Sequence, residues 1–221
     1  MAPTKSPYEK GPPLVGNNKL AIYIDPEKCM GCRSCEIACA VAHSTSKNLF
    51  GAIFEKPLPK PRIKVIVANF FNVPMRCQHC EDAPCMNVCP TGAITRTPEG
   101  FVVLNANKCI GCLMCVMACP FGHPKYEPAY KTVLKCDFCI DRIREGKEPA
   151  CVEACPVDAL QFGTLEEILE KVRKASAESF VTSMKVPGIV YTKPVGKEQK
   201  ETEEKPKPMD LYSLYSEVKW Y

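Results

Sequence analysis

The chain has 221 residues, of which 46% are hydrophobic and 24% charged, and a formal net charge of +4. That length suits one domain or two small ones, and no apolar run reaches the roughly 18 residues of a membrane span. The basic excess is small and no aromatic–basic stripe accompanies it, so nucleic-acid binding is not expected.

Residues 1–20, rich in proline, glycine and lysine, read as a loose arm. They contain neither the apolar core of a secretory signal nor a twin-arginine pair. The expectation is a soluble, cytoplasmic chain whose membrane association, if any, comes through a partner. Next come four short strand-like stretches, each ahead of a group of four cysteines: AIYI (21–24), RIKVIV (62–67), FVVL (101–104) and KTVL (131–134). All sixteen cysteines lie between Cys29 and Cys155. Set one is Cys29, Cys32, Cys35 and Cys39, spaced C-x2-C-x2-C-x3-C. Set two is Cys77, Cys80, Cys85 and Cys89, spaced C-x2-C-x4-C-x3-C-P. Set three, Cys109, Cys112, Cys115 and Cys119, repeats the spacing of set one, and set four is Cys136, Cys139, Cys151 and Cys155, spaced C-x2-C-x11-C-x3-C-P. Short strands or turns follow the prolines, as in CPTGAIT, CPFG and CPVDALQFG, so the region is an internal repeat punctuated by cysteine.

After the last set, TLEEILEKVRKA (164–175) reads as a helix. Thr164 and Glu167 form a capping box, and Leu165, Ile168, Leu169 and Val172 form an apolar face expected to pack on the cysteine-bearing body. Residues 193–208 are charged, contain proline and lack periodicity, as in an extended linker. The final residues, with Tyr212, Tyr215, Trp220 and Tyr221 beside Leu211, Leu214 and Val218, form an aromatic tail that either folds back or docks on a partner. The expected domains are an N-terminal arm (1–20), a cysteine-rich domain (21–163) with an inserted unit at 76–125, a packing helix (164–180) and an extended C-terminal arm (181–221).

Three chemistries suit this many cysteines. A disulfide framework fits poorly, because C-x2-C pairs would close very short loops and no secretory signal is present. Structural zinc prefers separated ligand pairs, usually with histidine, and only His43, His79 and His123 are available. The spacing of sets one and three is that of bacterial iron–sulfur runs, in which the fourth cysteine serves a second cluster. Sixteen thiolates at four per cluster give four [4Fe–4S] clusters with no thiol left over.

The short connector between sets two and three looks like that of a two-cluster ferredoxin, so these sets pair and sets one and four pair around them. Cluster 1 is then held by Cys29, Cys32, Cys35 and Cys155, and cluster 2 by Cys136, Cys139, Cys151 and Cys39. Cluster 3 is held by Cys77, Cys80, Cys85 and Cys119, and cluster 4 by Cys109, Cys112, Cys115 and Cys89. The competing arrangement pairs one with two and three with four. Gly31 and Gly111 let the backbone aim N–H groups at sulfur. Pro90, Pro120 and Pro156 end the short helical turns, whereas Ala40 lets the first one continue. Ile110, Leu113, Met114, Val116 and Met117 are expected to form a dry shell. His79 is expected beside a cluster or at the surface. Lys28, Arg33, Arg76, Lys108 and Lys135 stand next to ligands and offset cluster charge. Sixteen thiolates with four cores of about +2 each turn the formal +4 into about −4.

The stretches KCMGCRSCEIAC, RCQHCEDAPCMNVCPTGAI, KCIGCLMCVMACPFG and KCDFCIDR…ACVEACPVDAL resemble the four-cluster iron–sulfur subunit of the dimethyl sulfoxide reductase type. They are also similar to the electron-transfer subunits of formate dehydrogenases, hydrogenases and carbon monoxide dehydrogenases. The resemblance covers residues 21 to about 175. It implies an α+β fold of two pseudo-symmetric ferredoxin-like units, one inserted in the other, with crossed ligation. It also implies a catalytic partner, often a molybdopterin or tungstopterin enzyme, and a further electron-transfer partner. Members that anchor in membranes carry an added C-terminal helix, which is not expected here. No nucleophile–base constellation or phosphate loop appears, so the expected role is a non-catalytic electron-transfer subunit. A freely diffusing polyferredoxin and a zinc-stapled binding module are the alternatives.

Overall fold

The structure, a computed structural model, describes residues 19–184, with side chains through residue 180. The arm expected over 1–20, apart from its last two residues, lies outside this range, as do the arm at 181–221 beyond Met184, the linker at 193–208 and the aromatic tail. The chain divides into two units, residues 1–176 and 177–221.

Within the first unit, four two-stranded antiparallel sheets alternate with short helices. Strand β1 (Leu20–Ile24) is followed by α1 (Ser34–Ala42) and α2 (Leu49–Phe54). Strands β2 (Lys64–Ala68) and β3 (Phe71–Met75) form a hairpin, and Asn69 in its two-residue turn has φ +54°, a conformation asparagine tolerates well. Then come α3 (Pro84–Asn87), β4 (Ile94–Arg96), β5 (Val102–Leu104), α4 (Met114–Ala118), β6 (Lys125–Glu127) and β7 (Thr132–Leu134). The series ends with α5 (Ile140–Arg144), α6 (Ala150–Glu153), β8 (Leu160–Thr164) and α7 (Leu165–Met184).

Each strand-like stretch ahead of a cysteine set contains or overlaps a strand, and strands β4 and β8 follow the prolines of sets two and four. Strand β6 follows the proline of set three, where a short strand or turn was expected. Helix α2 and strand β3 were not expected; both are short, and β3 carries a proline, so their local signal is weak. Strand β1 pairs not with a neighbour in sequence but with β8, in the register Leu20↔Thr164 to Ile24↔Leu160. That pairing brings the two ends of the cysteine-rich region together. By contrast, β4 pairs with β5 and β6 with β7, each along the chain.

Two apolar cores result. One gathers Ile22, Ile63, Val65, Phe101, Val103, Phe138, Ile140, Val152 and Leu160 with Cys35, Cys39 and Cys151. The other gathers Ala83, Ile94, Val102 and Val133 with Cys85 and Cys115. Strand β5 and the residue before it serve both, because successive side chains of an extended chain point to opposite faces: Phe101 and Val103 enter the first core and Val102 the second.

Helix α7 starts as expected. Thr164 N–H donates to Glu167 Oε2 at 2.9 Å, and Glu167 N–H donates to Thr164 Oγ1 at 3.3 Å. Its expected apolar face is narrower than the sequence suggests. Ile168 is buried and Val172 half-buried, but Leu165 and Leu169 are 39% and 42% exposed.

Candidate metal centres

A single backbone device recurs in all four sets. The third residue of each C-x2-C stretch lies in the left-handed region: Gly31 at φ +74°, His79 at +48°, Gly111 at +68° and Phe138 at +63°. This conformation turns the residue's N–H back toward the first sulfur. His79 N–H donates to Cys77 Sγ at 3.5 Å. Burial pushes Cys109 up, but the Thr132 hydroxyl and the Gly111 N–H outweigh it and hold the thiol below its ordinary value. The Phe138 N–H acts on Cys136 in the same sense. The sequence pointed to this device only where glycine marks it.

The last two cysteines of each set lie on or just past a short helix. Helix α1 carries Cys35 and Cys39, while Cys85, Cys115 and Cys151 sit on α3, α4 and α6. Cys89, Cys119 and Cys155 follow those three helices, which stop before Pro90, Pro120 and Pro156. Helix α1, with Ala40 in place of proline, runs on to Ala42. A spacing of x3 separates two side chains by about one turn, so they leave the helix at different heights. Helix α3 packs against α4, and α1 against α6.

The cysteines converge in groups drawn from two sets each. Cys77, Cys80, Cys85 and Cys119 line one small cavity. Cys109, Cys112, Cys115 and Cys89 line a second. Cys29, Cys32, Cys35 and Cys155 line a third. Around Cys136 and Cys139, burial, the Asp137 carboxylate and the Cys39 thiolate push both thiols up to about 12. Cys151 is raised by burial and by Cys136, Cys139 and Cys39, so these four sulfurs also share one neighbourhood. All sixteen cysteines are free thiols.

These sites suit an iron–sulfur core. Thiols held near 12 stay protonated at neutral pH unless a cation compensates them, which a metal core does. Apolar side chains complete the walls, such as Ile94, Leu104, Leu113 and Val133 around the Cys109 cavity. The expected dry shell around set three holds only in part, however. Leu113 packs on the second core and Val116 beside it, but Ile110, Met114 and Met117 are 66%, 43% and 77% exposed. A helix of one and a half turns has only one inward face, and the cysteines take it. Of the cations beside ligands, Arg76 and Lys135 are buried, whereas Lys28, Arg33 and Lys108 face solvent.

One buried cluster had no clear sequence signal. Asp137 Oδ2 accepts from Arg62 Nη1 at 2.5 Å, and Asp137 Oδ1 lies 3.0 Å from His43 Nε2. The Cys139 N–H donates to the same Oδ1 at 2.9 Å, and His43 Nδ1 lies 2.7 Å from the Cys39 carbonyl oxygen. Burial would lower the His43 pKa, but Asp137 and Cys39 raise it to about 9. Burial likewise opposes ionisation of Asp137, but His43 and Arg62 hold its carboxyl well below the usual carboxylate range. The network clamps α1 to the first C-x2-C stretch of set four across 94 residues of chain.

Comparison with known proteins agrees with this chemistry. The family described as "4Fe-4S dicluster domain" matches residues 68–165, and that described as "4Fe-4S binding domain" matches residues 26–42. The B subunit of the anaerobic dimethyl sulfoxide reductase of Escherichia coli is 42% identical over 154 residues, covering 67% of this chain and 75% of its own. The thiosulfate reductase electron transfer subunit PhsB of Salmonella typhi is 41% identical over 152 residues, covering 68% and 78%. An iron-sulfur protein of Rhodospirillum rubrum is 40% identical over 186 residues, covering 78% and 95%. The chain therefore belongs to the dimethyl sulfoxide reductase iron–sulfur subunit family, as a non-catalytic, [4Fe–4S]-binding electron-transfer subunit of an oxidoreductase complex.

Proposed function

We propose that the chain holds four [4Fe–4S] clusters by crossed ligation and relays electrons between a catalytic subunit and a further redox partner. The ligand sets are Cys29, Cys32, Cys35 with Cys155; Cys136, Cys139, Cys151 with Cys39; Cys77, Cys80, Cys85 with Cys119; and Cys109, Cys112, Cys115 with Cys89. The observation that carries this reading is that each lined cavity draws its fourth cysteine from a different set. The packing of α3 on α4 and of α1 on α6 supports two related units, with sets two and three inserted between sets one and four. Each cluster, when bound, takes up and gives up a single electron. The protein's own residues hold the sulfurs, aim backbone N–H groups at them and keep water from the walls.

The catalytic partner is a molybdopterin or tungstopterin enzyme, a hydrogenase or a carbon monoxide dehydrogenase. The names of the dimethyl sulfoxide and thiosulfate reductase subunits favour the first kind. No helix among the described residues is long and apolar enough to cross a membrane, which suits membrane contact through a partner.

Substitution Cys119→Ser tests the ligation. The cluster of Cys77, Cys80 and Cys85 should be lost or altered, and that of Cys109, Cys112 and Cys115 retained. Iron and acid-labile sulfide analysis with electron paramagnetic resonance (EPR) reads the outcome. Loss of the cluster held by the neighbours of Cys119 in its own set would overturn crossed ligation.

A further inference from the structure

Two of the three histidines line the same cysteine cavity. His79 and His123 both stand in the wall shared by Cys77, Cys80, Cys85 and Cys119. No histidine lines the Cys109 cavity or the Cys29 cavity. His43, the third, is engaged by Asp137 and by Cys39, whose carbonyl oxygen and Sγ lie 2.7 and 3.8 Å from its Nδ1.

The proton on His79 can be placed. Its Nδ1 accepts from the Val102 N–H at 3.1 Å, so in the neutral ring the proton sits on Nε2. Nε2 of His79 is buried and finds no partner in the protein, and the same is true of Nε2 of His123. The buried Nε2–H of His79 without an acceptor is costly, and two unpartnered ring nitrogens in the wall of one cavity point to a group that fills it. The nearby ammonium of Lys135 is already committed, donating to the Val102 carbonyl at 2.5 Å and the Cys136 carbonyl at 3.1 Å. Both rings are held in place. His79 sits edge-on to Phe101 and Phe138, with centroids 5.8 and 5.2 Å away, and His123 stacks on Phe121 at 6.2 Å.

We propose that His79 and His123 donate Nε2–H hydrogen bonds to the sulfurs of the cluster held by Cys77, Cys80, Cys85 and Cys119, and so raise its reduction potential. The inference rests on the ligand set proposed above. Reduction adds negative charge to the cluster, so N–H donors stabilise the reduced form more than the oxidised one. The equivalent positions in the other sets are Gly31, Gly111 and Phe138, which offer only their backbone N–H.

The test is an EPR-monitored redox titration of the reconstituted full chain, following the signal that disappears in Cys85→Ser. His79→Leu and His123→Leu should each shift that midpoint to more negative potential, the double variant further still. His79→Gln, which restores a side-chain N–H, should recover part of the shift. Wild-type protein labelled with 15N-histidine should show nitrogen hyperfine coupling on this signal, and the double leucine variant should lose it. Unchanged midpoints in both leucine variants, with the signal intact, would overturn the proposal and leave the faces of Phe101 and Phe138 as the acceptors for His79. Absence of the 15N coupling would overturn it even where a leucine variant fails to assemble. The ligand set is judged by which cluster Cys119→Ser removes, and the hydrogen bonds by potential at constant cluster number, so the two fail separately.

Discussion

At the scale of the residue, the left-handed third position of each C-x2-C stretch is the unit from which the sites are built. Gly31 and Gly111 adopt it without steric cost, whereas at His79 and Phe138 it costs about 1–2 kcal/mol each. Packing of the rings offsets that strain: Phe138 stacks on Phe101 at 4.2 Å and Arg76 lies over Phe138 at 5.2 Å. The two glycines are not equivalent. A Cβ at Gly111 would lie 2.9 Å from the Lys131 carbonyl oxygen, which is backbone and cannot step aside. A Cβ at Gly31 would meet the Asn72 side-chain amide at 2.9 Å, which can rotate away. Both alanine variants should lose about 1–2 kcal/mol to backbone strain, and Gly111→Ala should lose more. Thermal melts of the reconstituted chain check this; equal losses would mean that the Lys131 contact relaxes freely.

At the scale of the element, β5 is the partition between the two cores. Val102 and Val103 are neighbours in sequence and both wholly buried, at 1% and 0% exposure, yet they belong to different cores. Truncating either to alanine should cost about 1.5–3 kcal/mol, from lost burial and the cavity left behind. The consequences should differ by site. Val102→Ala should weaken the clusters of sets two and three, and Val103→Ala those of sets one and four. Cluster-resolved EPR intensity during denaturant titration separates the outcomes; the same pair weakened in both variants would show that the cores act as one. The alternation that sorts these residues was visible in FVVL, but not that both faces would be covered. A strand buried on both sides reads as a continuous apolar run, whatever lies on each side.

At the scale of the whole molecule, the first unit has little apolar core for its length, and cysteines contribute to both cores. Several of those thiols, Cys35, Cys85, Cys115 and Cys151, are raised by burial in the metal-free protein, so folding without iron concentrates protonated sulfur where little else holds the chain. The hydrogen bonds that pin α1 and the hairpins to the cysteine stretches then lack a fixed anchor. Removing iron with a chelator should therefore abolish cooperative thermal unfolding, rather than lower the midpoint by a few degrees. Circular dichroism melts before and after chelation decide this, and an apo-protein with a sharp transition would show that the apolar cores suffice.

The sixteen cysteines and their spacing carried the cofactor class, the short helices and the prolines that end them. They did so because ligand geometry around a metal core demands particular residues at close, local separations. The capping box of α7 was legible for the same reason, since all its partners lie within four residues. The pairing of β1 with β8, the clamp of Arg62 and His43 on Asp137, and the convergence of His79 and His123 on one cavity were not legible. Each joins residues tens of positions apart, and none involves a residue type whose local pattern announces its partner. Only chain closure in three dimensions decides which distant donor meets which acceptor, because that choice follows from how the cores pack and not from spacing along the chain.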